Sequence, residues 1–312
     1  MKEKAVRKSK IGGQALIEGI MMRGLDKVSM AVRLPGGEID LESWPVGDLA
    51  NPAWYRKLPI VRGCVNLVES LILGFKCLMK SAEKAGVVEE EEEDKEPSAL
   101  ERWLGENLFQ IAGILGIVLG VILCVVIFAF IPSILVKALG LLAPIEGLQT
   151  ILEGVIKIAI FVGYLWLISR MKDIKTTFEY HGAEHKTIAC YEAGDELIPA
   201  NVKKYSRLHP RCGTSFLLIV LIVSIFVFSI VTWENLMLRV ILKVLLLPLV
   251  VGISYEIIRL AGRYDNPFTH ALSTPGLWLQ HLTTREPDEK QIEVAIQALS
   301  DVIPDDLEKD QW

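Results

Sequence analysis

Residues 109–135 read FQIAGILGIVLGVILCVVIFAFIPSIL, a run without a single Asp, Glu, Lys or Arg. A helix needs about 20 mostly apolar residues to cross the hydrocarbon core of a bilayer. The run therefore predicts a transmembrane helix, and working outward from it predicts three more, at 151–169, 215–232 and 236–258. The second carries Glu153 and Lys157 near its start, and the fourth carries Arg239, Lys243 and Glu256. A weaker stretch at 65–79 is short and holds Glu69 and Lys76. It predicts an amphipathic helix lying on the membrane or on the protein. Lys157 and Lys243 each sit about two turns inside a span, where they either snorkel to the interface or pair within the membrane, with Glu153 as partner.

Composition agrees with a membrane protein. The 312 residues are 51% hydrophobic and 23% charged, with a mean hydropathy of +0.38. A soluble globular protein and a disordered chain are excluded. The 5 cysteines are odd in number and widely spaced, which excludes a disulfide scaffold. The formal charge of −5 shows no basic excess, so nucleic acid is not expected as a partner. Glu18 and Arg23 interrupt the start of the chain, which does not read as a secretory signal.

Orientation follows from the loops. Residues 170–213 hold eight Lys and Arg, including Lys186, Lys203, Lys204, Arg207 and Arg211, whereas 140–150 and 233–238 hold none. Basic loops stay in the cytoplasm. The expectation is a multi-pass plasma-membrane protein with both termini cytoplasmic. The basic strip lies beside the bilayer, placed to meet anionic lipid headgroups.

The segments then read in order. Residues 1–86 form a cytoplasmic segment, with a hairpin around Pro35-Gly36-Gly37 in 28–44 and a helix over 62–84. Residues 87–98 are an acidic linker, after which Ser98 caps a helix leading into the first span. Residues 99–169 and 215–258 hold the two transmembrane pairs, with a cytoplasmic His-rich loop at 170–214 between them. Residues 259–312 are cytoplasmic, irregular over 261–284 and then helical, with Ile292, Ala295, Ile296 and Leu299 on one face. The fold class expected is mainly α, a polytopic membrane protein of about four transmembrane helices with a cytoplasmic α+β portion.

Chemistry concentrates in the His-rich loop. Tyr180-His181-Gly182-Ala183-Glu184-His185 places two imidazoles four residues apart, on one face of a helix. Glu184 between them completes H-x-x-E-H, the order of the inverted zinc proteases, where the Glu is the general base. His209-Pro210-Arg211-Cys212 adds a His-x-x-Cys pair. His181, His185, His209 and Cys212 together would close a four-ligand zinc site, and without Cys212 the set would leave a position for water. Cys190 and Glu192 are spare ligands nearby. The glycine-rich stretch 12–24 surrounds Gln14, Glu18 and Arg23, as either a tight packing element or part of a site. If helical, it puts Gln14 and Glu18 on one face. Arg62, Glu256 and Arg259 are further polar groups at the cytoplasmic boundary, with Glu256 and Arg259 spaced to pair with each other or with the loop.

GGQALIEGIMMRG, YHGAEHKTIACYE, RLHPRCGTSF and PGLWLQHLTTREPD together resemble the YqhQ-like family of bacterial integral membrane proteins, over most of the chain. The resemblance implies a membrane protein labelled a metal-dependent enzyme, and points to His181, Glu184, His185, His209, Arg211 and Cys212, with Gln14, Glu18 and Arg23. His281, in the last motif, is a further ligand candidate.

Two functions stand open on these grounds. One is a zinc-dependent hydrolase working at the cytoplasmic face, with Glu184 as base and Arg211 or Arg23 holding an anionic group. The protease version would also need Glu256 as a late ligand. The other is a non-catalytic scaffold or channel-like homo-oligomer whose His/Cys loop is structural. A transporter is weakened by the uncharged first and third spans and the absence of repeat halves.

Overall fold

The computed structural model describes residues 8–46, 54–87, 115–142 except 117, 147–231, 235–264, 266–307 and 310. Most of the acidic linker, Ser98 and the start of the first span lie outside them. The chain forms two compact units. One is built from the described residues of Met1–Val88, Val162–Val220 and Pro248–Trp312, the other from those of Glu89–Phe161 and Leu221–Leu247.

The first unit opens with four antiparallel strands in sequential order, β1 (Gly12–Leu16), β2 (Gly19–Arg23), β3 (Lys27–Arg33) and β4 (Ile39–Pro45). The glycine-rich stretch is therefore a hairpin and not a helix. Its two-residue loop ends at Glu18, held at φ 48°. Gly19 follows because a Cβ there would lie 2.5 Å from the Ala31 carbonyl oxygen of the neighbouring strand.

Helix α1 (Val61–Lys84) covers one face of this sheet, where Leu16, Met21, Val28, Met30 and Val32 meet Cys77. The other face carries α4 (Lys172–Ala193) and α8 (Glu289–Val302), which bury Ile20, Met22 and Ala31 against Tyr180, Ala183, Ile292 and Leu299. Both faces are covered, so β2 and β3 lack the apolar–polar alternation of a half-exposed strand.

The helices α2 (Val118–Leu142), α3 (Gln149–Ile168) and α6 (Leu236–Arg263) are long and apolar enough to cross a membrane. Helix α5 (Gly213–Phe228) is also apolar but shorter. Residues 261–284 are largely ordered as α7 (Pro267–Thr283). Asn266 caps α7 by accepting from the Thr269 N–H at 2.9 Å, and Pro267 sits in the first turn, where no N–H is missed. The Pro and Gly content that reads as irregular is thus a helix start plus one interior Pro275.

In the second unit Glu153 of α3 gathers three cations. Its Oε1 lies 2.9 Å from Lys157 and also meets Lys243, while its Oε2 accepts from Arg239 at 2.7 Å. Lys243 also donates to Ser133 Oγ at 2.7 Å. Lys157 and Lys243 are 4% and 1% exposed, so neither snorkels out.

Candidate metal centre

Helix α4 carries the centre. It runs without interruption to Gly194, whose φ of 80° ends it in the left-handed region that glycine tolerates. His181 and His185 fall one turn apart, with ring centroids 4.4 Å from each other. Cys212, at the entry to α5, closes the group. The ligand atoms of His181, His185 and Cys212 all lie within 4.8 Å of one another, the one such group among the described residues.

The second ring nitrogen of each histidine is held by backbone. His181 Nδ1 lies 2.8 Å from the Thr283 carbonyl oxygen, and His185 Nδ1 lies 2.6 Å from that of Arg207. A carbonyl only accepts, so both Nδ1 atoms carry the proton and both Nε2 atoms are left for the shared space. Backbone acceptors that fix the tautomer in this way are the usual support of metal-ligating histidines.

His181 Nε2 stands 3.2 Å from Cys212 Sγ, which also accepts from the Thr214 N–H at 3.4 Å. Burial opposes the charged form of both partners, but each charge outweighs it. Cys212 is held well below the thiol range by His185 and His181, and His181 is raised to about 9 by Cys212. A divalent ion would take the place of the shared proton. Two imidazole nitrogens and a thiolate are a donor set that suits zinc.

Glu184 lies on the same helix. Burial pushes its carboxyl up, against the pull of His181 and His185, and the Gly13 N–H of β1 donates to it. Its Oε2 is buried without a hydrogen-bond partner. Gly13 is required here: a Cβ would fall 2.9 Å from Glu184 Cγ and Cδ. The glycine-rich hairpin and the His loop thus meet at this carboxylate. Gly182, which costs helix propensity, also has a packing reason. A Cβ there would sit 2.0 Å from the Arg285 carbonyl oxygen, in the segment that supplies the Thr283 acceptor.

The other candidates are placed as follows. The His209 ring lies 5.5 Å from that of His185, but its Nε2 faces Glu192 at 3.8 Å, away from the three-ligand group. Arg211 pairs with Glu192 and donates to the Ser9 carbonyl at 2.6 Å. Arg207 turns inward onto Thr284 and lies 3.4 Å from Glu286, while Lys186 reaches Glu286 at 2.8 Å. These side chains of the basic strip are engaged within the protein. Glu18 accepts from Tyr180 Oη at 3.1 Å, Gln14 packs over Gly74 of α1, and Arg23 closes β2 across from Gly12. Glu256 pairs bidentately with Arg62, with Arg62 Nε donating at 2.6 Å, rather than primarily with Arg259. Cys190 is buried among the core residues shared by α4 and α8.

His281 is exposed and turned back onto the Leu277 carbonyl of its own helix. Its neighbour Gln280 is the buried residue of that motif. Gln280 accepts from the His209 N–H at 2.8 Å and donates to the His209 carbonyl at 2.7 Å, fixing the turn that leads to Cys212. Nothing in the spacing distinguishes Gln280 from His281 except helical phase, which was legible only with α7 in place. Buried Ser9 and Asp310, joined at 2.7 Å beside Glu192, likewise carry no sequence signature.

Residues 58–305 match the family described as "Protein of unknown function (DUF1385)". The chain belongs to this family. It is also 36% identical, over 94% of its own length and 92% of the other's, to the "Uncharacterized protein YqhQ" of Bacillus subtilis (strain 168). No solved structure matches it.

Proposed function

We propose that this DUF1385 protein is a metal-dependent hydrolase, zinc being the preferred ion, anchored in the plasma membrane with its centre on the cytoplasmic side. One observation carries the reading: three ligand atoms converge within 4.8 Å beside a buried carboxylate with an unpartnered oxygen. Three protein ligands are the pattern of catalytic zinc, and four that of structural zinc.

His181, His185 and Cys212 would hold the ion. When bound, it supplies a Lewis acid that acidifies water and polarises a carbonyl or phosphoryl oxygen. Glu184, raised by burial, accepts the proton from the attacking water and returns it to the leaving group. Gly13 steadies that carboxyl through its N–H, and Thr283 and Arg207 keep the imidazoles in register. His209, paired to Glu192, stands behind His185 as a support.

The proposed topology takes α5 as a fourth span. The eight Lys and Arg of 170–213 favour the cytoplasm for that loop and, with four spans, for both termini.

The experiment is metal analysis of the detergent-purified full chain by plasma mass spectrometry. About one zinc per chain, lost in the His181→Ala/His185→Ala double variant and kept in Glu184→Gln, is expected. A well-folded wild type without metal overturns the reading. A structural centre in a scaffold is the second reading, favoured by the deep burial of His185 and Cys212. It requires Glu184→Gln to leave cellular function intact.

A further inference from the structure

The outer face of α1 is apolar and uncovered. Val61, Val68, Leu71, Ile72 and Phe75 are 38–65% exposed and share one side of the helix. Gly63, Gly74, Cys77 and Ser81 on the opposite side are buried. Contiguous apolar surface of this kind marks an interaction site.

Two observations identify what covers it. The first is where α1 begins. Gly63 and Gly252 let its start lie directly on α6, one of the spans. A Cβ on Gly63 would fall 2.6 Å from Tyr255 Cβ, and one on Gly252 would fall 2.2 Å from Ile60. Asn66 donates to Tyr255 Oη at 2.7 Å, and Arg62 pairs with Glu256. These contacts fall where the apolar run of α6 gives way to Tyr255-Glu256, the level at which a span leaves the hydrocarbon. The second is Trp54, 75% exposed on the turn before α1, a residue type favoured at the membrane–water boundary.

We infer that α1 lies in the headgroup region of the bilayer, with Val61, Val68, Leu71, Ile72 and Phe75 in the acyl boundary and its other face carrying the β-sheet. The partner is lipid, and the helix is an in-plane anchor that holds the sheet against the membrane surface.

A photo-crosslinking benzoylphenylalanine placed at Ile72 tests this. The full chain is reconstituted in phosphatidylethanolamine/phosphatidylglycerol vesicles containing radiolabelled phosphatidylglycerol. Leu245, 68% exposed in α6, is the lipid-facing control, and Gln297, exposed on α8 across the sheet from α1, is the water-facing one. Illumination should label the position-72 protein to an extent comparable with position 245, and at least fivefold above position 297. A chain-to-chain adduct at position 72 overturns the proposal in favour of a second copy. Labelling at position 72 no higher than at position 297, with position 245 labelled, overturns it in favour of a water-facing helix.

Discussion

Gly182→Ala sets two effects of opposite sign against each other at the centre. Helix propensity favours Ala over Gly by about 1 kcal/mol, and α4 is a long helix that would use the gain. Packing opposes it. The new Cβ would lie 2.0 Å from the Arg285 carbonyl oxygen, against about 3.3 Å for a close carbon–oxygen contact. About 1.3 Å of backbone movement is therefore demanded. The segment is not free to supply it, because the Arg285 N–H is hydrogen-bonded to the Phe178 carbonyl of α4 at 2.8 Å. Overpacking costs about 1–3 kcal/mol, and backbone on both sides puts this site at the upper end. The net expectation is a loss of about 2 kcal/mol. Displacing residues 283–285 also pulls the Thr283 carbonyl from His181 Nδ1, and loss of such support weakens metal affinity by roughly 10–100-fold. Thermal unfolding in detergent and a competitive zinc-chelator titration read the two effects separately. A variant as stable as the wild type, or more so, with unchanged zinc affinity would refute the close packing of α4 on the 283–285 segment.

Glu184→Gln should retain zinc while cellular function falls by a factor of 100 or so, the general-base share of catalysis; a complementation assay scores it. Zinc uptake must displace the proton on His181, held up at about 9. Apparent affinity should therefore weaken roughly tenfold for each pH unit below that value and level off above it, which titrations at pH 6.5, 7.5 and 8.5 resolve. A flat profile would show that no such proton is displaced. Glu153→Leu removes the carboxylate that three buried cations touch, so a loss of about 3–5 kcal/mol is expected. Lower yield and melting temperature in detergent would show it, whereas Lys157→Met, which leaves Glu153 two partners, should cost much less.

Much of the local structure was legible because it depends on local periods. The long apolar runs announced the apolar helices, since length and hydropathy are properties of one segment. The i, i+4 spacing of His181 and His185 announced a shared face, because helical phase needs no partner. The inner face of α8 was readable for the same reason. The strands at 12–23 were not. Both faces of β2 are buried, which removes alternation, and β1 opens with two glycines, which carry no side chain to alternate. Residues 267–283 hid a helix behind Pro and Gly that serve as its cap and a tolerated interior break.

The amino-acid sequence by itself determined the long apolar helices, the helical register of the two histidines and the stock of ligand types near them. Only the tertiary structure decided which of these residues meet. It brought Gly13 beneath Glu184, turned His209 toward Glu192, chose Gln280 over His281, and gathered Lys157, Arg239 and Lys243 around Glu153. The reason is physical. Each of these contacts joins a residue to another far away in the chain or turns on side-chain direction. Packing of whole elements sets both, and no short stretch of residues encodes them.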